Sequence, residues 1–248
     1  MIGKSILGSK KSGLGHFISR SKKSGLGHFI SRSEKSEQGK FIVLEGQGFT
    51  GKTVQAPLLV EKLKEAGIEA VVSNDTGGIN ETIPIREEIL SKRAKGELTP
   101  KEEVELFYKS RKLQLEKFTK PNLKKGIWVI SNRFSPSTFI YQGVEGGEDI
   151  DEIAEIDKKV VGDFKPDLYI LLDVSPDKLI KRLTTLGARR KHSFNELNGM
   201  VIKSRREAYL KFAEQNSNDN WIVIDGNGPI DKVHQKIWEA VSDKFNLK

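Results

Sequence analysis

Cysteine is absent from this 248-residue chain. Without cysteine there is no disulfide framework and no thiolate-bound metal. The four histidines are scattered and show no metal-ligand spacing. No apolar run approaches the roughly 20 residues that a membrane-spanning helix needs. We therefore expect a protein of a reducing, cytoplasmic compartment, without a membrane partner and long enough to bury a full core.

Acidic residues are missing from the first 33 positions, which carry seven of the 42 lysines and arginines. The formal net charge of +8 depends on this segment, because the other 35 basic residues face 34 acidic ones. A basic surface on a folded domain indicates nucleic-acid binding, whereas a basic tail does not place such a surface on the domain. Nucleic acid is therefore not an expected partner.

The same N-terminal region contains an internal repeat. KSGLGHFISRSK at residues 11–22 recurs at residues 23–34 with its last residue changed, and a degraded copy begins at residue 35. A period of twelve is too short for a solenoid unit. We expect residues 1–39 to form a disordered basic arm and residues 40–248 to form the folded domain. An organelle transit peptide and a nucleic-acid-binding arm are the two other interpretations of this segment.

The most informative stretch is FIVLEGQGFTGKTVQ, at residues 41–55. Its first four residues are apolar and predict a short buried strand. Residues 46–53 then fit the pattern G-x-x-x-x-G-K-[ST] at every fixed position, and residues 54–66 have helical periodicity. A strand, a glycine loop and a helix form the context that this phosphate-binding motif requires.

Each part of this glycine loop has a chemical role. Its glycines allow successive backbone N–H groups to point at phosphate oxygens, and the following helix N-terminus adds partial positive charge. Lys52 is predicted to act on the outer phosphates, and the Thr53 hydroxyl to hold Mg²⁺. Glu45, at the end of the strand, and Asp75 are candidates for holding metal-bound waters. The predicted ATP-binding residues are Gly46, Gln47, Gly48, Phe49, Thr50, Gly51, Lys52 and Thr53.

Strands and helices alternate along the rest of the chain, which predicts an α/β fold with a parallel sheet. The predicted strands are residues 41–44, 69–73, 126–131, 166–173 and 221–224. The architecture is that of a P-loop NTPase, with a five-stranded sheet, helices on both faces and a polar, basic lid at about residues 186–198. The loops at the carboxyl ends of the strands are expected to bind the ligands.

Five further stretches, in this order, resemble the thymidylate kinases, which are P-loop nucleoside-monophosphate kinases. They are FIVLEG (41–46), LFYKSR (106–111), ISNRFSPSTFIYQG (130–143), PDLYILLDVSP (166–176) and RREAYLKFA (205–213). The resemblance covers roughly residues 40–245. It implies transfer of the γ-phosphate of ATP to dTMP, with Mg²⁺, by a protein that is usually a homodimer.

The resemblance also implies a pocket for the acceptor. Phe107 matches the aromatic residue that stacks on thymine, and Arg111, on the same helix face, matches the arginine that binds the base carbonyl. Ser137 or Thr138 lies where a polar side chain meets the base, and Tyr141 matches the aromatic residue that excludes a 2′-hydroxyl. The implied acceptor-binding residues are Phe107, Arg111, Ser137, Thr138, Tyr141, Gln142, Asn74 and Asp75.

Catalytic cations follow from the same resemblance. Arg133 matches the arginine at the transferring phosphate, and Arg189 and Arg190 are candidates for the lid arginine. Together with Lys52 they would surround the moving group with positive charge.

Three positions depart from the family pattern. The aspartate in the glycine loop, which contacts the acceptor sugar, is Gly48 here. The arginine that binds the acceptor phosphate is Asn74, and the aspartate of the D-R-[YF] motif is Asn132. These changes leave two alternatives to a dTMP kinase: a member that binds nucleotide without transferring phosphate, and a kinase for another deoxypyrimidine monophosphate.

Overall fold

The structure is a computed structural model that describes residues 38–187 and 198–247. Nearly all of the predicted N-terminal arm lies outside these ranges. So do the lid candidates Arg189 and Arg190. No helix within the two ranges is both long and apolar enough to cross a membrane.

The described residues form a five-stranded parallel sheet. Its strands are β1 (Phe41–Glu45), β2 (Ala70–Asn74), β3 (Trp128–Asn132), β4 (Leu168–Asp173) and β5 (Trp221–Asp225). Their order in the sheet is β2-β3-β1-β4-β5. Asn132 is in register with Leu44 on one side and with Asn74 on the other, so the carboxyl ends of three strands lie side by side. The predicted sheet is confirmed.

Helices connect the strands. They are α1 (Lys52–Glu65), α2 (Ile83–Lys95), α3 (Pro100–Gln114), α4 (Lys120–Lys124), α5 (Ser135–Thr138), α6 (Ile150–Val160), α7 (Pro176–Gly187), α8 (Gly199–Gln215) and α9 (Ile230–Phe245). Two π-helical turns interrupt them, at Leu115–Thr119 and at Phe139–Glu145. The first of these turns lies directly between α3 and α4, and the second directly follows α5.

Both faces of the sheet are covered, as predicted. One apolar cluster packs α1 and α9 against β1, β3 and β4, and a second packs α3, α4 and α6 against the opposite face. Every residue of β1 is buried as a result. The central strand therefore carries the glycine loop on a backbone that is held from both sides.

A capping box starts α3 and fixes where its functional side chains point. The Thr99 hydroxyl accepts from the Glu102 backbone N–H, and the Glu102 carboxylate accepts from the Thr99 N–H at 2.8 Å. Pro100, at the first helical position, has no N–H that needs a partner. Because the helix begins at a defined residue, Phe107 and Arg111 face the sheet edge four residues apart.

The packing of α9 gives a stability prediction. Ile237 is fully buried in the cluster of α1 and α9. Ile237→Ala removes buried methyl groups and leaves a cavity, so we expect urea unfolding to show a loss of about 2–5 kcal/mol. Met200→Ala is the control, because Met200 is 78% exposed, and its effect should stay within about 0.5 kcal/mol. Equal effects of the two substitutions would contradict the assigned core.

Candidate functional site

The glycine loop after β1 is shaped for an anion. Gly46 has φ of 130° and Gly51 has φ of 107°, both in the region that favours glycine. A Cβ at Gly46 would also lie 2.9 Å from the Leu172 carbonyl oxygen. No side chain in the described part caps the N-terminus of α1. Its first N–H groups are therefore available to phosphate oxygens.

Lys52 lies inside this loop. Its Nζ donates to the carbonyl oxygens of Gly46 at 2.7 Å and of Gln47 at 2.8 Å, and to Thr50 Oγ1 at 3.3 Å. Burial lowers the pKa of Lys52 well below its ordinary value, and the Arg133 cation lowers it further. The Lys52 side chain thus lies inside the loop that is predicted to bind the phosphates. When a phosphate binds, its oxygens would replace the three protein acceptors of Nζ.

The carboxyl ends of β2 and β3 and the start of α1 bring three polar side chains together. Asn132 Nδ2 donates to Thr53 Oγ1 at 3.4 Å and to Asn74 Oδ1 at 3.2 Å. Asn132 Oδ1 is buried and has no hydrogen-bond partner in the described structure. Thr53 is exposed. An exposed hydroxyl beside an unpartnered amide oxygen is a donor set that suits a hydrated Mg²⁺ ion.

Glu45, at the end of β1, lies on the other side of the glycine loop. Its carboxylate accepts from the Phe134 backbone N–H at 2.8 Å and from Ser137 Oγ at 2.8 Å. Burial raises the pKa of Glu45, while Arg133 partly opposes that rise. In this arrangement both carboxylate oxygens already bind protein donors inside the core. Its predicted contact with a metal-bound water therefore has no support in the geometry.

Arg133 follows β3 with an unusual backbone. Its φ is 76°, in the left-handed region that a bulky residue rarely adopts. Its guanidinium donates to Ser137 Oγ at 2.8 Å, to the Tyr209 hydroxyl at 3.0 Å and to the Tyr141 hydroxyl at 3.2 Å. Three hydroxyl partners hold the guanidinium in place, and the buried Glu45 carboxylate lies close enough to interact with its charge. Arg133 is therefore a cation of fixed position, and its role at the transferring phosphate stays a prediction.

Tyr141 joins the glycine loop to the acceptor side. Its hydroxyl accepts from the Gly48 backbone N–H at 3.2 Å, in addition to the bond from Arg133. Its ring centroid lies 5.0 Å from the Arg133 guanidinium carbon. The residue predicted to lie beneath the acceptor sugar thus contacts the position where the family has an aspartate.

The predicted base-binding arginine is buried. Arg111 is 1% exposed, and its Nε and Nη2 donate to the two Asp75 oxygens at 2.9 and 2.6 Å. Nη2 also donates to Thr138 Oγ1 at 2.9 Å. Its Nη1 has no hydrogen-bond partner in the described structure. The structure thus places Thr138 beside Arg111, whereas Ser137 belongs to the group around Glu45 and Arg133.

Phe107 and Gln142 are linked through Arg93 and Glu103. The Arg93 guanidinium carbon is 5.9 Å from the Phe107 ring centroid. Gln142 Nε2 donates to Glu103 Oε2 at 2.7 Å, and Arg93 also binds Glu103 through two hydrogen bonds. Phe107 is half-buried, so its predicted stacking on a base stays a prediction.

Four polar residues of the site were missed by the sequence analysis. Tyr209 supports Arg133, Arg86 Nη1 donates to the Thr76 carbonyl at 3.0 Å, and Arg205 contacts Tyr141. The fourth, Arg182, donates to the carbonyl oxygens of Phe49 and Thr50, both at 3.3 Å. Only Tyr209 and Arg205 lay in a stretch already singled out, and no local pattern predicts their long-range partners.

A glycine loop at the end of the central strand, in a sheet of order β2-β3-β1-β4-β5, defines a P-loop nucleotide-binding protein. The sequence profile described as Thymidylate kinase matches residues 44–237. A thymidylate kinase of Afipia carboxidovorans is 35% identical over 205 residues, which are 81% of this chain and 88% of that protein. The chain belongs to the thymidylate kinase family.

The buried ion pair of the site gives a second prediction. Arg111→Met and Asp75→Leu each remove one partner of this buried pair, and Asp75→Leu leaves Arg111 with only Asp157, 4.0 Å from Nη1. Each should therefore cost about 3–5 kcal/mol in urea unfolding. The double variant should lose much less than the sum, because it leaves neither charge behind. Lys117→Met is the control, since it breaks an exposed pair with Glu81 at 2.8 Å. Additive effects at 75 and 111 would show that the pair is not coupled.

Proposed function

We propose that this protein transfers the γ-phosphate of ATP to dTMP, giving ADP and dTDP. The observation that carries the proposal is the hydrogen bond between the Gly48 N–H and the Tyr141 hydroxyl, which also accepts from Arg133. These bonds link the glycine loop, which we propose as the donor side, to Arg133 and to the ring that we propose to lie beneath the acceptor sugar. Phosphoryl transfer needs this arrangement more than it needs covalent chemistry.

The donor side would act through the loop and its lysine. The N–H groups at the start of α1 and the Lys52 ammonium would bind the β- and γ-phosphates, with Lys52 leaving its three loop acceptors. An oxygen of the acceptor phosphate then attacks the γ-phosphorus, and the bond from that phosphorus to the ADP oxygen breaks. Arg133 would stabilise the negative charge on the oxygens that move.

Mg²⁺ fits the residues at the carboxyl ends of β2 and β3. Thr53 would supply a hydroxyl ligand, and Asn132 Oδ1, which lacks a partner, would accept from a metal-bound water. No group of three or more His, Cys, Asp or Glu residues in the described ranges is placed to hold a metal by itself. This agrees with an ion shared between protein and substrate phosphates. When bound, Mg²⁺ would supply positive charge that offsets the negative charge of the phosphates.

The acceptor side has a donor suited to a keto group. Asp75 and Thr138 accept from the N–H groups of Arg111 Nε and Nη2, so both N–H groups of Nη1 have no hydrogen-bond partner in the described structure, with Asp157 Oδ1 4.0 Å away. That donor pairs with the 4-keto oxygen of thymine and not with the 4-amino group of cytosine. Phe107 would stack on the base.

Arg86 is our candidate for the acceptor phosphate. In the family an arginine at the position of Asn74 binds the acceptor phosphate. Arg86 lies against the same turn, where its Nη1 donates to the Thr76 carbonyl oxygen at 3.0 Å. Its side chain is exposed. A guanidinium at this turn would restore a positive charge near the position where Asn74 has removed one.

A homodimer is part of the same proposal. Leu90 on α2 is 51% exposed and Ile150 on α6 is 43% exposed. A second copy of the chain would cover such side chains and gain from their burial.

A turnover panel tests the activity. We expect ADP release, measured with a coupled assay across the common ribo- and deoxynucleoside monophosphates, to be fastest with dTMP. Lys52→Ala should reduce kcat by at least about a hundredfold, since it removes a charge-stabilising contact to the transferred group. Binding of ATP by calorimetry with no turnover on any acceptor would favour the binding-only alternative. A maximum with another deoxypyrimidine monophosphate would favour the altered-acceptor alternative.

Gly48 offers a gain-of-function test. A Cβ at this position would meet no atom within 4 Å, so the backbone has room for the start of a side chain. Gly48→Asp should restore the sugar contact of the family, and a charge-assisted hydrogen bond of about 1.5–3 kcal/mol raises kcat/KM for dTMP roughly tenfold or more. Gly48→Ala is the matched control and should leave kcat/KM near that of the parent. A loss with aspartate but not with alanine would show that the carboxylate does not reach the sugar.

A further inference from the structure

A second arginine lies against Tyr141. Arg205, on α8, is 8% exposed, and its guanidinium carbon is 4.5 Å from the Tyr141 ring centroid. Arg205 Nε and Nη2 donate to the two oxygens of Glu145, both at 2.7 Å. Glu145 closes the π-helical turn that also carries Tyr141. The bidentate pair therefore fixes the plane of the guanidinium relative to the segment that bears the ring.

The hydrogen bonds of Tyr141 leave one motion of its ring open. Gly48 and Arg133 both act on the hydroxyl, which lies on the axis from Cβ through the ring. Rotation about this axis moves the ring faces without breaking either bond. A planar group against one face opposes that rotation, because stacking is lost when the ring turns.

The charge of Arg205 is balanced. Glu145 neutralises it through two charge-assisted hydrogen bonds, so the pair adds little to the field at the acceptor phosphate. Arg133, in contrast, makes its hydrogen bonds to hydroxyl groups. Removing one member of the Arg205–Glu145 pair leaves the other charge in place, but this change affects equally two acceptors that carry the same phosphate. A change in the ratio between acceptors that differ only at the 2′ position therefore reports the ring position.

We propose that Arg205, oriented by Glu145, is a positioning residue that fixes the Tyr141 ring against the acceptor sugar and so determines the preference for a deoxynucleotide. The inference rests on the proposed function, because it assumes that the sugar lies on this ring. A ring of fixed orientation leaves no space for a 2′-hydroxyl, whereas a ring that turns admits it. Arg205 itself touches neither the base nor the reacting phosphate in this assignment.

The test compares two acceptors that differ only at the 2′ position, dTMP and ribothymidine 5′-monophosphate. In Arg205→Met and in Glu145→Gln we expect the ratio of kcat/KM for the two to fall about tenfold, mainly through the acceptor KM. The KM for ATP should not change. Arg205→Lys keeps the positive charge but lacks the planar guanidinium, so its kcat/KM ratio should be as low as that of Arg205→Met.

Lys203→Met is the matched control. Lys203 is on the same helix, its side chain is 70% exposed, and its nearest carboxylate is Glu207 at 3.9 Å. Its substitution removes the same charge from α8 without touching Tyr141, so the ratio should stay that of the parent. If Arg205→Met lowers kcat and stability while the ratio is unchanged, Arg205 is only structural and the proposal is overturned.

A second measurement separates this inference from the proposed function. The rate at which the Tyr141 ring flips is observed by NMR with ring-labelled tyrosine, without any substrate. The chain has four tyrosines, and the signal of Tyr141 is the one lost in Tyr141→Phe. Faster flipping in Arg205→Met than in the parent would support the positioning role. This holds even if the parent protein turns over neither acceptor, because a lack of turnover would refute only the proposed function. Equal flip rates would overturn the inference.

Discussion

A buried carboxylate at the end of the central strand holds the two sides of the site together. Glu45 accepts from the backbone after β3 and from Ser137, and Arg133 lies close enough to oppose the rise of its pKa that burial causes. A carboxylate without these donors would cost several kcal/mol to bury at this position. The segment that carries Arg133 therefore keeps its place relative to the glycine loop, and the strained backbone at Arg133 is maintained by the same contacts.

The arginines around the pocket fall into two groups according to the side chains that they bind. Arg111 and Arg205 each bind a carboxylate through two hydrogen bonds, so each has a fixed plane and a compensated charge. Arg133 donates to hydroxyl groups and makes no hydrogen bond to a carboxylate in the described structure, although Glu45 lies close enough to interact with its charge. Shape and charge are thus supplied by different side chains. In the proposed kinase, the paired arginines orient the base and the sugar, while the unpaired one acts on phosphate.

The fold and the donor loop were predictable because their signals are local. Five apolar runs separated by helical patterns predict the sheet, and the glycine loop has a fixed spacing. The partners within the pocket were not predictable, because they join residues far apart in the chain, as in Arg111 with Asp75 or Arg205 with Glu145. Local patterns also could not show that the Glu45 carboxylate would be enclosed by donors from the segment after β3. The same limit applies to Ser137 and Thr138, which are adjacent in sequence but belong to different groups of contacts.

The self-contained loop around Lys52 has a consequence for which anions it admits. An incoming ligand must replace three protein acceptors on one ammonium, two of which are carbonyl oxygens at 2.7 and 2.8 Å. A chain of phosphates would also reach the N–H groups at the start of α1, which a single phosphate on the lysine would not. In the proposed kinase, a nucleotide with a longer phosphate chain would therefore gain more from this loop than one with a shorter chain, before any contact with the base.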